Sequence, residues 1–331
     1  MKGIHRVIIQ NKRIRYDFEL RRNLTVLRGD SATGKTTLID MVQEYLNSGS
    51  DSSIELNCDK TCYVLYGATW KGQLSEMQDS IVFIDEGNPF VFSDEFSAAI
   101  QKTDNYYVIV SREGLPNLPY SVTEIYGIRM SGRYGSLKQC YNEFYRIYGK
   151  VSQWKKIIPN TVITEDSNAG YQFFKSICKD KGMTCVSAEG KSNVLQAATD
   201  ADFEKETLLI VDGAAFGPEM DRVMKFINVH TNVKLYAPES FEWLILSANP
   251  LKDSEIRQIL EAPSDYIESR DFFSWERFFT HVLTGKTQGT YLQYSKNRLN
   301  EAYSKGTVRE MIVRQIDLEF NLALKLEQGN S

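Results

Sequence analysis

The stretch GDSATGKTT, positions 29–37, constrains the fold more than any other. Glycines at Gly29 and Gly34 let a chain turn its main-chain N–H groups inward, and Lys35 with Thr36 adds an ammonium and a hydroxyl just beyond the turn. Such a loop needs a strand before it and a helix after it. LTVLR (24–28) supplies an apolar run, and Leu38, Met41, Val42, Tyr45 and Leu46 then recur at helical spacing. The pattern G-x-x-x-x-G-K-[ST] in that setting predicts a phosphate cradle formed by Gly29, Asp30, Ser31, Ala32, Thr33, Gly34, Lys35, Thr36 and Thr37. Lys35 would reach the outer phosphates of ATP, and Thr36 would ligate Mg2+.

Two further apolar runs end in reactive side chains. IVFIDEGNPF predicts a strand ending in Asp85 and Glu86, and YYVIVSRE one ending in Ser111 and Arg112. The first acid suits a magnesium ligand and the second a base that polarises water. Arg112 either senses the terminal phosphate, serves a neighbouring subunit of a homo-oligomer, or pairs with Glu86 or Glu113. These segments resemble P-loop NTPases, and VIIQNKRIRYDFELRRNLTVLRGDSATGKTTL resembles the opening of ABC and SMC type ATPases, with two strands running into the loop. The chain departs from that family in lacking an LSGGQ-like signature before the acidic pair and in placing Ser111 and Arg112 where the family has a histidine. Too little sequence lies between Lys35 and Ile84 for a helical insertion. The resemblance implies a compact ATPase core with Lys35, Glu86 and Arg112 in catalysis and Thr36 and Asp85 on the metal.

Beyond WKKIIP, near residue 155, strand and helix patterns alternate: TVIT, then a stripe of Tyr171, Phe174, Ile177 and Cys178, then TCVSA, LLIVD and VKLYA. Alternation of this kind predicts a parallel, doubly wound sheet, with a binding crevice at the carboxyl ends of its strands. Those ends carry Glu165, Asp166, Asp212 and Glu239. VITEDSNAG, SAEGKSNV and LLIVDGAAFG resemble the Toprim domain, and an ATPase followed by Toprim is the layout of OLD-type nucleases. That resemblance implies Glu165 and Asp212 as metal ligands for work on nucleic acid. The chain departs from the pattern at Asp166, where the family has glycine, and at Ala214, where it has a second aspartate. Two other readings stand beside it: a receiver-like domain with Asp212 as phosphoacceptor, and acids that simply cap helices.

The expected architecture is therefore α/β, a P-loop NTPase parallel sheet over 1–154 followed by a Toprim-like, Rossmannoid α/β domain over 155–331 with a basic helical end. Net charge is only −4, so any grip on nucleic acid must be local. One candidate is the C-terminal strip with Lys286, Lys296, Arg298, Lys305, Arg309 and Arg314 among Tyr291, Tyr294 and Tyr303; a solvated helix face is the alternative. The N-terminal stretch has a similar excess, Lys2, Arg6, Lys12, Arg13, Arg15, Arg21, Arg22 and Arg28 against Asp17, Glu19 and Asp30, part of which is expected to face the acidic second domain. Five cysteines without framework spacing predict reduced thiols, and no run is apolar enough for a membrane span, so a cytoplasmic setting is expected. The functional expectation is an ATP- and Mg2+-dependent switch acting on a nucleic-acid-directed second domain, with defence against mobile elements as a setting. The alternative is a nucleotide-switched module that binds a partner protein and whose second domain is inert.

Overall fold

A computed structural model describes residues 1–29, 33–131, 139–148, 158–201 and 205–320. The expected domain boundary near residue 155 lies outside the described residues, as do Asp30, Ser31 and Ala32. The chain is mixed α/β and forms two compact units, Met1–Gly149 with Ala262–Ser274, and Lys150–Glu261 with Trp275–Ser331. No helix among the described residues is long and apolar enough to cross a membrane.

In the first unit the chain runs β1 (His5–Gln10), β2 (Ile14–Leu20), β3 (Leu24–Leu27), α1 (Lys35–Ser48), β4 (Glu55–Asn57), β5 (Thr61–Val64), α2 (Trp70–Glu76), β6 (Ser80–Ile84), α3 (Asp94–Ile100), β7 (Tyr106–Val110), β8 (Ile125–Met130) and β9 (Cys140–Arg146). Among the described residues these strands make one sheet in the order β4-β1-β2-β9-β8-β3-β7-β6-β5. From β8 to β5 every neighbouring pair is parallel. Strands β3, β6 and β7 are buried along their whole length, which is why they read as unbroken apolar runs. The other half corrects the expected parallel sheet: β1 pairs antiparallel with both β2 and β4, and β8 with β9. Its strands alternate instead, Val7 and Ile9 inward with Arg6 outward, because one face meets solvent.

A second correction concerns residues 262–274, expected in the second domain but packed with the first unit. Gly3 N donates to Ser264 O (2.7 Å), Asn23 Nδ2 to Phe273 O (2.8 Å), and the Met1 ammonium pairs with Glu268. Such a return is long-range and leaves no local pattern to read.

The second unit contains β10 (Thr161–Thr164), α4 (Ala169–Asp180), β11 (Thr184–Ser187), α5 (Val194–Thr199), β12 (Thr207–Ile210), α6 (Met220–Val229), β13 (Val233–Tyr236), α7 (Phe241–Ala248), α8 (Ser254–Glu261), α9 (Trp275–Thr287) and α10 (Gly306–Phe320). Its described strands form a parallel sheet ordered β11-β10-β12-β13. The winding direction reverses between β10 and β12, which opens a crevice at their carboxyl ends. Just past β12, Gly213 runs against the chain after β13: Gly213 N donates to Pro238 O (2.6 Å) and Ala214 N to Glu239 O (3.1 Å). A Cβ at Gly213 would sit 2.6 Å from Ala237 O and 2.8 Å from Pro238 O. Both neighbours are backbone and cannot swing aside. Gly213→Ala is therefore expected to cost about 1–3 kcal/mol in urea unfolding, as overpacking does; an unchanged midpoint would contradict this packing.

Candidate phosphate loop and carboxylate cluster

Gly29 (φ +124°) and Gly34 (φ +90°) both occupy backbone conformations that side chains resist. Between them the described part of the loop is held by Lys35, whose ammonium donates to Gly29 O (2.9 Å) and Thr33 Oγ1 (2.9 Å). Lys35 is 7% exposed, so its charge is kept at the mouth of the loop and not spent in bulk solvent. Thr36 is exposed at the first turn of α1, and Thr37 is half-buried. Tyr16, buried on β2, donates its hydroxyl to Gly34 O (2.8 Å) and lies within reach of the Thr37 and Asn142 side chains. Burial pushes that phenol up to about 12, so it stays a hydrogen-bond donor at neutral pH.

Asp85 and Glu86 follow β6, which is separated from β3 by β7 alone. Two strand spacings set the backbones about 10 Å apart, a gap that phosphate and a hydrated cation can span. Burial raises the Asp85 carboxyl, and Glu86 and Asp40 add to the shift while Lys35 opposes it. Asp85 Oδ1 accepts from Glu86 N (2.8 Å), which fixes its direction. Glu86 is gripped by Arg112 from the end of β7, through Nε (3.0 Å) and Nη2 (2.7 Å), and its carboxyl is lowered by that pairing. Of the readings open for Arg112, the pairing with Glu86 is the one present. A cleft of about 420 Å3 opens here, lined by Asp85, Glu86, Asn88, Phe92, Ser111 and Arg112.

In the second unit Glu165 follows β10 directly and Asp212 lies two residues past β12, so the crevice brings them together. Asp212 N donates to Glu165 Oε2 (3.0 Å). Burial pushes Glu165 up to about 7, with Glu276 and Asp166 adding to the rise and Lys191 and the Asp212 N–H opposing it. Asp212 is raised as well, by burial and then by Glu276, Glu165, Glu242 and Asp166. Asp166 turns to its own helix, accepting from Asn168 N (3.1 Å) and Tyr171 N (3.1 Å) ahead of α4. The capping alternative thus describes Asp166. Lys296 pairs with Glu276 on α9, while Tyr294 donates to Glu242 Oε1 (2.7 Å). Lys191 is lowered by burial while Glu165, Glu219 and Glu276 pull the other way. Among the described residues no three His, Cys, Asp or Glu side chains converge tightly enough to form a metal cage.

The C-terminal strip is folded into its own unit. Lys286 pairs with Asp253 and Glu255, Lys305 with Glu301 and Arg309 with Asp180, and Tyr294 and Tyr303 are buried, leaving Tyr291 exposed. Tyr16, Glu242 and Glu276 escaped sequence reading. Tyr16 could have been noted as an inward position of β2, but Glu242 and Glu276 lie in helices with no strand-end pattern. No family model and no curated protein matches the chain, so the site stands on its geometry.

The raised Glu165 carboxyl has a pH consequence. Between its ordinary value of 4.5 and about 7 the folded state holds more protons than the unfolded one, so stability falls as pH rises through that window. Burial sets most of the shift; of the charged neighbours, Glu276 and Asp166 add to it and Lys191 opposes it. Glu165→Gln is expected to flatten the thermal midpoint across this range and to raise it at the alkaline end. Parallel curves for variant and parent would refute the crowding.

Proposed function

We propose that the chain binds ATP with Mg2+ in the first unit and hydrolyses it, and that its nucleotide state regulates the second unit. The observation that carries this reading is the Lys35 ammonium, held by Gly29 O and Thr33 Oγ1 at the start of a 14-residue helix, with a half-buried acid, Asp85, two strands away. The described residues fit the ligand: a turn with glycines at both ends can present main-chain N–H groups to an anion, the helix adds its positive end, and a cation would relieve the Asp85 carboxyl. When bound, ATP and Mg2+ supply the scissile phosphate and the charge that stabilises its transfer. Lys35 and Thr36 would hold phosphate and metal with Asp85, and Glu86 would orient water. Arg112, which pairs with Glu86, would have to release that carboxylate, in exchange for phosphate for example, before Glu86 could serve as the base.

Lys35→Ala should weaken ATP binding by about 30-fold or more, the loss that follows truncating a buried charged donor, in fluorescent-nucleotide titrations. Glu86→Gln should keep binding but slow hydrolysis by about 100-fold or more, the usual share of a general base. Hydrolysis at the parental rate in Glu86→Gln would remove that residue from the mechanism, while normal binding in Lys35→Ala would remove the nucleotide reading itself.

For the second unit, the meeting of Glu165 and Asp212 in the crevice supports the Toprim-like reading, in which the unit binds or acts on nucleic acid, with defence against mobile elements as the setting. Two carboxylates suit one Mg2+ that keeps its waters and takes substrate phosphate, and relief of their crowding would favour it. They do not suit a two-cation centre, which needs more anionic oxygens. Lys191 and Lys296 among these acids favour the other reading, a nucleotide-switched interaction module with an inert second unit. Mn2+ titration followed by electron paramagnetic resonance separates them: binding lost in both Glu165→Gln and Asp212→Asn supports the metal, and no site beyond that of the first unit supports inertness.

A further inference from the structure

Strands β2 and β9 pair for only three residues, Ile14–Tyr16 against Cys140–Asn142, and no pairing continues past Tyr16. The gap is a cleft of about 810 Å3 within the first unit. Phe18 and Phe144 lie flat on each other at its floor, with ring centroids 4.0 Å apart and planes 7° from parallel. Around it stand four arginines, Arg6, Arg15, Arg21 and Arg146, against three acids, Asp17, Glu19 and Glu143.

Each of these arginines has an acid within reach, but among the described residues the acids lining the cleft are one fewer than the arginines. Arg6 and Arg15 share the single carboxylate of Asp17, and Glu143 is taken by Arg129. Arg21 pairs with Glu19, and Arg146 lies 3.6 Å from the buried Glu124. Arg6 (61%), Arg21 (48%) and Arg146 (42%) keep much of their side-chain surface in solvent, and an exposed pair such as Arg21 with Glu19 exchanges partners at a cost of about 1 kcal/mol or less. Arg15 lies over the Tyr141 ring (5.7 Å) and Arg146 over that of Tyr126 (5.9 Å), so cationic and aromatic planes alternate around the opening.

We propose that this cleft binds single-stranded nucleic acid, the arginines taking phosphates while one or two bases enter against the aromatic side chains. The volume lies within the range of about 300–1,000 Å3 in which small ligands are enclosed, which suits one or two nucleotide units and excludes a duplex. Aromatic surface is of use only to unstacked bases, and arginine supplies both phosphate hydrogen bonds and stacking. The inference deepens the nucleic-acid reading above by giving it a surface on the first unit.

The test is fluorescence anisotropy of the full chain with labelled single-stranded DNA and RNA oligonucleotides, and with a duplex of equal length, without added nucleotide or divalent cation. Omitting both keeps the outcome independent of the glycine loop and of the carboxylate cluster. Arg6→Gln/Arg21→Gln is expected to weaken single-strand binding at least about tenfold and to lower the slope of log affinity against log salt by about 1.4, two contacts at about 0.7 each. Lys179→Gln/Lys225→Gln removes two exposed charges from the second unit and should leave binding near the parental value. Unchanged thermal midpoints confirm that each variant is folded. If the parent binds but the arginine variant binds as well, or no worse than the lysine control, the cleft is excluded while the broader reading survives. Stronger binding of the duplex, or no oligonucleotide binding by the parent, overturns the proposal and leaves the metal-dependent reading of the second unit to the Mn2+ titration.

Discussion

The carbonyl oxygen of Gly34 carries two bonds at once, and the first unit is organised around it. It accepts Leu38 N (3.0 Å), the hydrogen bond that starts α1, and the Tyr16 hydroxyl (2.8 Å), which ties the loop to β2. Its residue stands at φ +90°, and a Cβ there would meet Tyr16 Oη at 2.7 Å. Glycine is thus required twice, once by backbone conformation and once by the approach of the tyrosine. With that carbonyl fixed, the following residue, Lys35, reaches back to Gly29 O, and the loop closes on its own ammonium. Conformation, helix start and charge are consequences of one main-chain position.

Both units place acids where parallel strands end, and they balance the charge differently. After β6 and β7, Glu86 is answered by a guanidinium that is largely exposed and able to leave, while the shift of Asp85 remains upward. After β10 and β12, the acids are more enclosed. Burial, with Glu276 and Asp166 beside both and Glu165 and Glu242 beside Asp212, raises both carboxyls, so Glu165 and Asp212 do not both ionise at little cost without a cation nearby. Lys191 supplies part of that cation and Lys296 is engaged with Glu276. The difference is one of exchange: a surface pair releases its partner readily, whereas a buried cluster holds its own charges in place.

The parts of the fold that were legible are those in which local pattern and burial coincide. Strands β3, β6 and β7 are buried on both faces and read as apolar runs, and β10 to β13 announce themselves by alternating with helices. The stripe on α1 held for Leu38, Met41 and Val42 but failed at Leu46, which is 38% exposed at the open end of the helix. Glu165, Asp212 and Asp85 could be found because strand ends are predictable places for them. Glu276 could not, since a helix that arrives from far along the chain brings it in. The same holds for 262–274 and for β9, whose place between β2 and β8 is decided by long-range pairing.

Charge counting shows the same limit from another side. The C-terminal strip and the N-terminal arginines look alike in sequence, with several cations, a few acids and interleaved aromatics. In the strip, Lys286, Lys296, Lys305 and Arg309 each have a carboxylate within reach, and two of the tyrosines pack inward. Along β1, β2 and β9 the arginines also have acids within reach, but they face a gap left where two strands part, and among the described residues lining it they outnumber the acids by one. Strand divergence, which no composition reports, therefore separates a solvated helix from a basic cleft. It also sets the cleft close to the glycine loop: Arg15 lines the opening, and the residue after it, Tyr16, donates its hydroxyl to Gly34 O, the carbonyl on which the loop depends.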